Sequence, residues 1–150
     1  MVLEKVDIKR SDFKCWIHMD IRWGDMDALG HVNNTKYFTF CESARIHYFE
    51  SLELNLNPNL SQVPTLAHAN LNFRKQVHYP SKLDVGVKVS SLKTRSFQMD
   101  YAIFLADTDT LVAEGFSIMV WADYKQGKSV EMPEIIRDAI KKMEGFDNKN

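Results

Sequence analysis

Between Asn34 and Leu52 the apolar positions Tyr37, Cys41, Ala44, Tyr48 and Leu52 recur at steps of four and three. That period predicts one long helix with a buried stripe, widened by Phe38, Phe40 and Phe49. No Pro or Gly interrupts it, and Asn33 or Asn34 stands where an N-cap belongs. Upstream, Lys14 to Trp23 carries Trp16, Ile17, Ile21 and Trp23 and reads as a first strand. Downstream, the Asn- and Pro-rich stretch from Leu54 to Pro64 reads as a polar loop. Four further strands are expected at about Thr65–Val77, Leu83–Leu92, Ser96–Ala106 and Thr110–Asp123. Along the third of these, Phe97, Met99, Tyr101, Ile103 and Leu105 alternate with the period of a half-buried strand. The short polar breaks Lys93-Thr94-Arg95 and Asp107-Thr108-Asp109-Thr110 predict antiparallel hairpins. Pro133 opens a last short helix, Glu134 to about Met143, whose expected inner face is Ile135, Ile136, Ala139, Ile140 and Met143. The tail Asp147-Asn148-Lys149-Asn150 is expected to fray.

A long helix with a broad apolar face needs a large partner surface, and a sheet of about five strands supplies one. The expectation is a single α+β domain in which the sheet curls around the helix. At 150 residues, with 45% hydrophobic and 26% charged positions, one core forms without disulfide staples. Cys15 and Cys41 are therefore expected as buried free thiols in a reducing compartment. A net charge of −1 argues against binding nucleic acid through bulk positive charge. The N-terminus alternates charged and apolar residues, and no apolar run approaches a membrane span. A soluble, cytoplasmic protein is expected.

The candidate chemistry is concentrated in Asp25-Met26-Asp27-Ala28-Leu29-Gly30-His31-Val32-Asn33-Asn34, between the first strand and the long helix. Two carboxylates, an imidazole and two carboxamides exceed what a connector needs. The helix start adds unpaired N–H groups and the positive end of a macrodipole, which together suit a developing oxyanion. A carboxylate beside it can act as base or nucleophile. The plainer alternative is that Asp25 and Asp27 stabilise the turn while an Asn caps the helix. The spacing Asp-x-Asp-x-x-Gly also matches the opening of a calcium loop, but Leu29 and Lys36 stand where that loop needs ligands.

Other candidates are weaker. His18, His47, His68 and His78 show no metal spacing, so no metal site is expected. Ser43 lies outside any Gly-x-Ser-x-Gly elbow, and Cys41 sits on the apolar stripe as a packed thiol. Glu42 and Arg45 have the spacing of a helical ion pair. Arg74 and Lys75, like Lys93 and Arg95, form small basic pairs suited either to solvent or to phosphate.

The run Trp23-Gly24-Asp25-Met26-Asp27-Ala28-Leu29-Gly30-His31-Val32-Asn33-Asn34-Thr35-Lys36-Tyr37, followed by Phe40, Glu42, Ala44 and Arg45, resembles the signature of the 4-hydroxybenzoyl-CoA thioesterase family. Its His-Val-Asn-Asn version is most similar to the bacterial fatty acyl-CoA thioesterases of that hotdog-fold group. The resemblance implies a helix wrapped by a curved antiparallel sheet, and homodimers whose sheets join edge to edge, often paired into tetramers. It implies hydrolysis of medium- or long-chain fatty acyl-CoA, with coenzyme A as part of the substrate and no separate cofactor, and with no nucleic-acid or membrane partner. Carried over by position, the catalytic carboxylate falls on Asp27 and the carbonyl-polarising N–H on Asn34. Gly30, His31, Val32, Asn33 and Tyr37 of the same run are expected around the substrate, with the basic pair Arg74 and Lys75 a candidate for its phosphates. Some branches carry a supporting His where this chain has Asn34; here the nearest imidazole is His31. A non-catalytic acyl-thioester-binding or assembly protein on the same fold is the alternative.

Overall fold

The computed structural model describes residues 3–146, so the tail Asp147–Asn150 lies outside the described residues. In chain order the elements are β1 (Cys15–Asp20), α1 (Asn34–Ser51), β2 (Gln62–Phe73), β3 (Lys82–Leu92), β4 (Ser96–Leu105), β5 (Leu111–Asp123), β6 (Lys128–Ser129) and α2 (Glu134–Glu144). The sheet is antiparallel in the order β1-β3-β4-β5-β2, and the two-residue β6 pairs the end of β5. The β3–β4 and β4–β5 hairpins form at the expected polar breaks, whereas β2 crosses to the far edge beside β5. This is the α+β hotdog arrangement, with a curled sheet around α1 and a short C-terminal helix.

The core lies between the concave face of the sheet and α1. Leu83, Val85, Val87 and Val89 of β3 and Phe97, Met99 and Ile103 of β4 meet Cys41, Ala44 and Tyr48 of the helix. Burial of each large apolar side chain stabilises the fold by about 1.5–3 kcal/mol before entropy is counted. The Tyr48 hydroxyl donates to Glu144 of α2, and Glu144 also accepts the Val89 N–H, so one carboxylate ties both helices to the sheet.

Several boundaries and one helix face differ from the periodicity, among them the end of β2, at Phe73 instead of Val77. The first strand stops at Asp20, because the Asp25 carboxylate accepts the Arg22 N–H and folds Trp23–Asp25 into a 3-10 turn. The edge strand β2 begins inside the polar stretch and includes Pro64, which an edge tolerates since one side of the strand needs no ladder donor. In α2 the core takes Ile136, Ile140 and Met143, leaving Ile135 one residue off that narrow stripe and exposed. Phe38 is likewise off the main stripe of α1 and partly exposed beside β2. Gly115 allows β2 to cross β5 closely, since a Cβ there would collide with the Asn70 carbonyl.

Candidate active site

The loop between β1 and α1 is a set of nested turns, each closed by a carboxylate. Asp25 is buried at 1% exposure, and its two oxygens accept the Arg22 N–H (2.8 Å) and guanidinium (3.1 Å). Burial alone would raise this carboxyl, but the Arg22 N–H and guanidinium, with Lys36 nearby, outweigh it and hold the group below the usual carboxylate range. The Asp25 carbonyl also accepts the Asn33 N–H. Asp25 is thereby consumed as a strut.

Asp27 is placed differently. One oxygen accepts the Leu29 N–H at 2.9 Å and the other accepts the Asn33 side-chain amide at 3.2 Å. The chain then reverses through Gly30, whose φ of 80° is a left-handed conformation that glycine adopts without cost. Met26 and Val32 close the loop as an isolated antiparallel bridge, and the Val32 N–H donates to the Val77 carbonyl. The carboxylate of Asp27 is thus fixed while remaining half-exposed on the cavity side.

Asn33 links this carboxylate to the helix. Its side-chain oxygen caps α1 by accepting the Thr35 N–H (2.9 Å) and hydroxyl (2.7 Å). Because a main-chain N–H can only donate, the amide nitrogen of Asn33 must face Asp27. Thr35 N–H is occupied by this cap and Lys36 N–H by the Asn33 carbonyl. The N–H of Asn34 has no hydrogen-bond partner among the described residues, so it is the donor left open at the positive end of the helix.

Asp27, His31, Val32, Asn34, Tyr37, Arg74 and Lys75 line one cavity of about 400 Å³. Gly30 and Asn33 shape its rim instead of lining it: the Gly30 carbonyl accepts from His78, and both ends of the Asn33 amide are committed to protein. Arg74 reaches the wall, yet its guanidinium is taken by Glu114 (2.7 Å) and the Glu4 carbonyl. Lys75 is exposed. Leu29 of the loop motif completes the lining together with Phe73 and Gln76, which no local motif marks. His78, from the segment before β3, packs its ring against His31 at 4.6 Å between centroids. Among the described residues, no group of three or more His, Cys, Asp or Glu is arranged to hold a metal ion.

A second, separately lined cavity of about 160 Å³ lies further along the seam between α1 and β2. Tyr37 and Phe73, in edge contact at 5.4 Å, wall the first cavity; Phe38 and Leu71 wall the second. At its floor Arg45 donates to the Tyr101 hydroxyl (3.1 Å), which is 2.7 Å from the Ser117 hydroxyl. Arg45 therefore joins helix to sheet; no ion pair with Glu42 forms among the described residues. Burial pushes the Cys41 thiol up to about 12, against some relief from Arg45, so this thiol is a packed group and no nucleophile.

The model of the thioesterase-like superfamily matches residues 21–140. The long-chain acyl-CoA thioesterase FadM of Escherichia coli is 24% identical over 82% of this chain and 94% of its own length. The solved PA2801 protein of Pseudomonas aeruginosa is 31% identical, with a TM-score of 0.78, covering 84% of this chain and 97% of that one. A thioesterase from Thermus thermophilus, solved with coenzyme A and zinc, is 27% identical with a TM-score of 0.77, covering 91% and 98% of the two chains.

Proposed function

The chain belongs to the thioesterase-like superfamily, and from that premise we propose that it hydrolyses fatty acyl-CoA, in the manner of the fatty acyl branch of the 4-hydroxybenzoyl-CoA thioesterase group. The observation that carries the reading is the pairing of a fixed, solvent-facing carboxylate with an open helix N–H on one cavity. Thioester hydrolysis needs both: an agent to activate or form the attacking bond, and a place for negative charge on the carbonyl oxygen. A carbonyl oxygen directed at the Asn34 N–H leaves the adjoining carbon facing Asp27. Asp27 then takes a proton from water as the water oxygen bonds to that carbon, the C–S bond breaks, and the thiolate leaves with that proton. Alternatively, Asp27 attacks directly and a water hydrolyses the acyl anhydride. Both routes consume one water and release one acid and one thiol.

The substrate side follows from the lining. Tyr37 and Phe73 offer an apolar wall for an acyl chain at the start of the α1–β2 seam, and the exposed Lys75 offers a cation to the coenzyme's phosphates. A relative solved with coenzyme A supports that choice of carrier. Assembly is part of the proposal. The edge strand β2 has a partner on one side only among the described residues, and Leu66, Phe73 and Phe38 beside it are exposed. An open apolar edge calls for pairing, so a homodimer joined at β2, or a tetramer built of such dimers, is expected. The reading is tested by following thiol release from acyl-CoA of graded length. Saturable turnover of aliphatic chains is expected. Tight binding without thiol release would instead establish a non-catalytic acyl-thioester binder, and much faster turnover of hydroxyaromatic thioesters would overturn the fatty preference.

A further inference from the structure

Arg45 occupies a position that the helical pattern reserves for the core. It follows Cys41 by four residues and Ala44 by one on the buried stripe, and it is 8% exposed. Among the described residues its guanidinium donates to the Tyr101 hydroxyl, itself bonded to Ser117, and both of those residues are more deeply buried. No carboxylate pairs with the guanidinium among the described residues. A guanidinium has five donors and keeps its charge, and Arg45 commits one nitrogen to Tyr101, so its other donors are open to an acceptor in the adjoining cavity. Here these groups face a cavity of about 160 Å³ walled by the apolar Phe38, Leu66, Leu71 and Phe116 and also by Thr39, Glu42 and Asn70. A cavity with a fixed cation and two hydroxyls at its floor and apolar walls beside them is a selective pocket.

The position fits the far end of a substrate seated at the first cavity. Asn34 and Arg45 lie on one helix, eleven residues apart, which is about 16 Å of helix. A chain entering at the Asn34 N–H and running over the Tyr37–Phe73 ring pair reaches the second cavity along the same seam. We propose that the second cavity reads the distal end of the acyl group, and that the favoured substrates are aliphatic acyl thioesters bearing an oxygen acceptor there, a carboxylate or a carbonyl, received by Arg45, Tyr101 and Ser117. This rests on the thioesterase reading above and specifies its substrate class. Arg45 is here a specificity residue, remote from the scissile bond.

The experiment compares acyl-CoA of matched length in three forms: plain alkanoyl, ω-carboxylated and ω-oxo. In the wild-type protein the oxygenated chains should show kcat/KM about tenfold or more above the plain chain, because the plain chain leaves the buried donors unpaired. Whichever of the two oxygenated forms leads tells carboxylate from carbonyl recognition. Arg45→Met should bring the ratio of oxygenated to plain turnover to one or below. Tyr101→Phe, which keeps the guanidinium, should reduce the ratio less. Plain chains turned over as fast as oxygenated ones by the wild type would overturn the inference while leaving the thioesterase reading intact, as would a preference that survives in Arg45→Met. The wild-type comparison decides the matter even if Arg45→Met does not fold. Absence of any thioester turnover would instead strike the proposed function, and this inference would fall with it.

Discussion

Replacing Asp25 by Asn isolates what the first carboxylate of the loop does. Asp25 is almost wholly buried and accepts one main-chain and one guanidinium donor, both from Arg22. An Asn can keep the Arg22 N–H on its oxygen, but its amide nitrogen then faces the guanidinium as donor against donor. The Arg22 side chain is 75% exposed and can turn to water, so the lost charge-assisted bond is discounted to about 1 kcal/mol. The buried amide left without an acceptor adds about 1 kcal/mol more. A loss of about 2 kcal/mol lowers the melting temperature of a chain this size by about 4–8 °C. The pH dependence has a definite sign. The folded carboxyl lies below its ordinary value, so its contribution is complete above about pH 4, the unfolded value, and fades as pH falls through the folded one. Scanning calorimetry of both proteins from pH 7 to pH 3 should show a gap that is constant near neutrality and narrows in acid. A variant melting within a degree of wild type at pH 7, or a gap that widens in acid, would refute the assignment of Asp25 as a strut.

Asn33→Ala removes the cap on Thr35 and the amide that holds Asp27, so it should destabilise by about 1 kcal/mol in thermal melts. It should also lower kcat more than it raises KM, because it loosens the carboxylate without touching the channel. Gly30→Ala forces a side chain into a φ of 80° with open space around it, so the cost is backbone strain alone, about 1 kcal/mol by chemical denaturation. Light scattering at micromolar concentration should report a dimer or a multiple of it; a compact monomer would contradict pairing at the β2 edge.

The strong periodicities were legible from sequence because each is local. The stripe of α1, the alternation of β4 and the polar breaks of two hairpins all depend on neighbours along the chain. The far placement of β2 is not local: a strand of alternating Leu66, Ala69 and Leu71 pairs equally well with several others, and only the closed packing selects β5. Pro64 hid the start of that strand, because a proline reads as a break unless the strand is already known to lie at an edge. Asp27, Asn34 and Tyr37 of the loop motif line one cavity, since turn and helix fix their relation within a few residues. The motif did not separate the two aspartates by environment, which depends on Arg22 folding back over one of them. The basic pair was divided in the same way. Adjacent residues at a strand end diverge, so Arg74 turns to Glu114 while Lys75 stays in solvent. Arg45 had a visible signal, a charge on a buried stripe, but the hydroxyls awaiting it come from β4 and β5 and have no mark in the sequence.

The central claim is that Asp27 performs the chemistry while Asp25 supports the loop, and steady-state thiol release by Asp27→Asn and Asp25→Asn at a temperature where both are folded tests it most directly. Asn at 27 can keep the Leu29 turn bond but cannot accept a proton or form an anhydride. The predicted result is a fall in kcat of about 10²-fold or more for Asp27→Asn, with substrate affinity close to wild type and a modest loss of melting temperature, because the new amide nitrogen faces that of Asn33 at a half-exposed site. Asp25→Asn should retain most of its turnover despite its lower stability. Near-wild-type turnover in Asp27→Asn, together with abolished turnover in folded Asp25→Asn, would contradict the account.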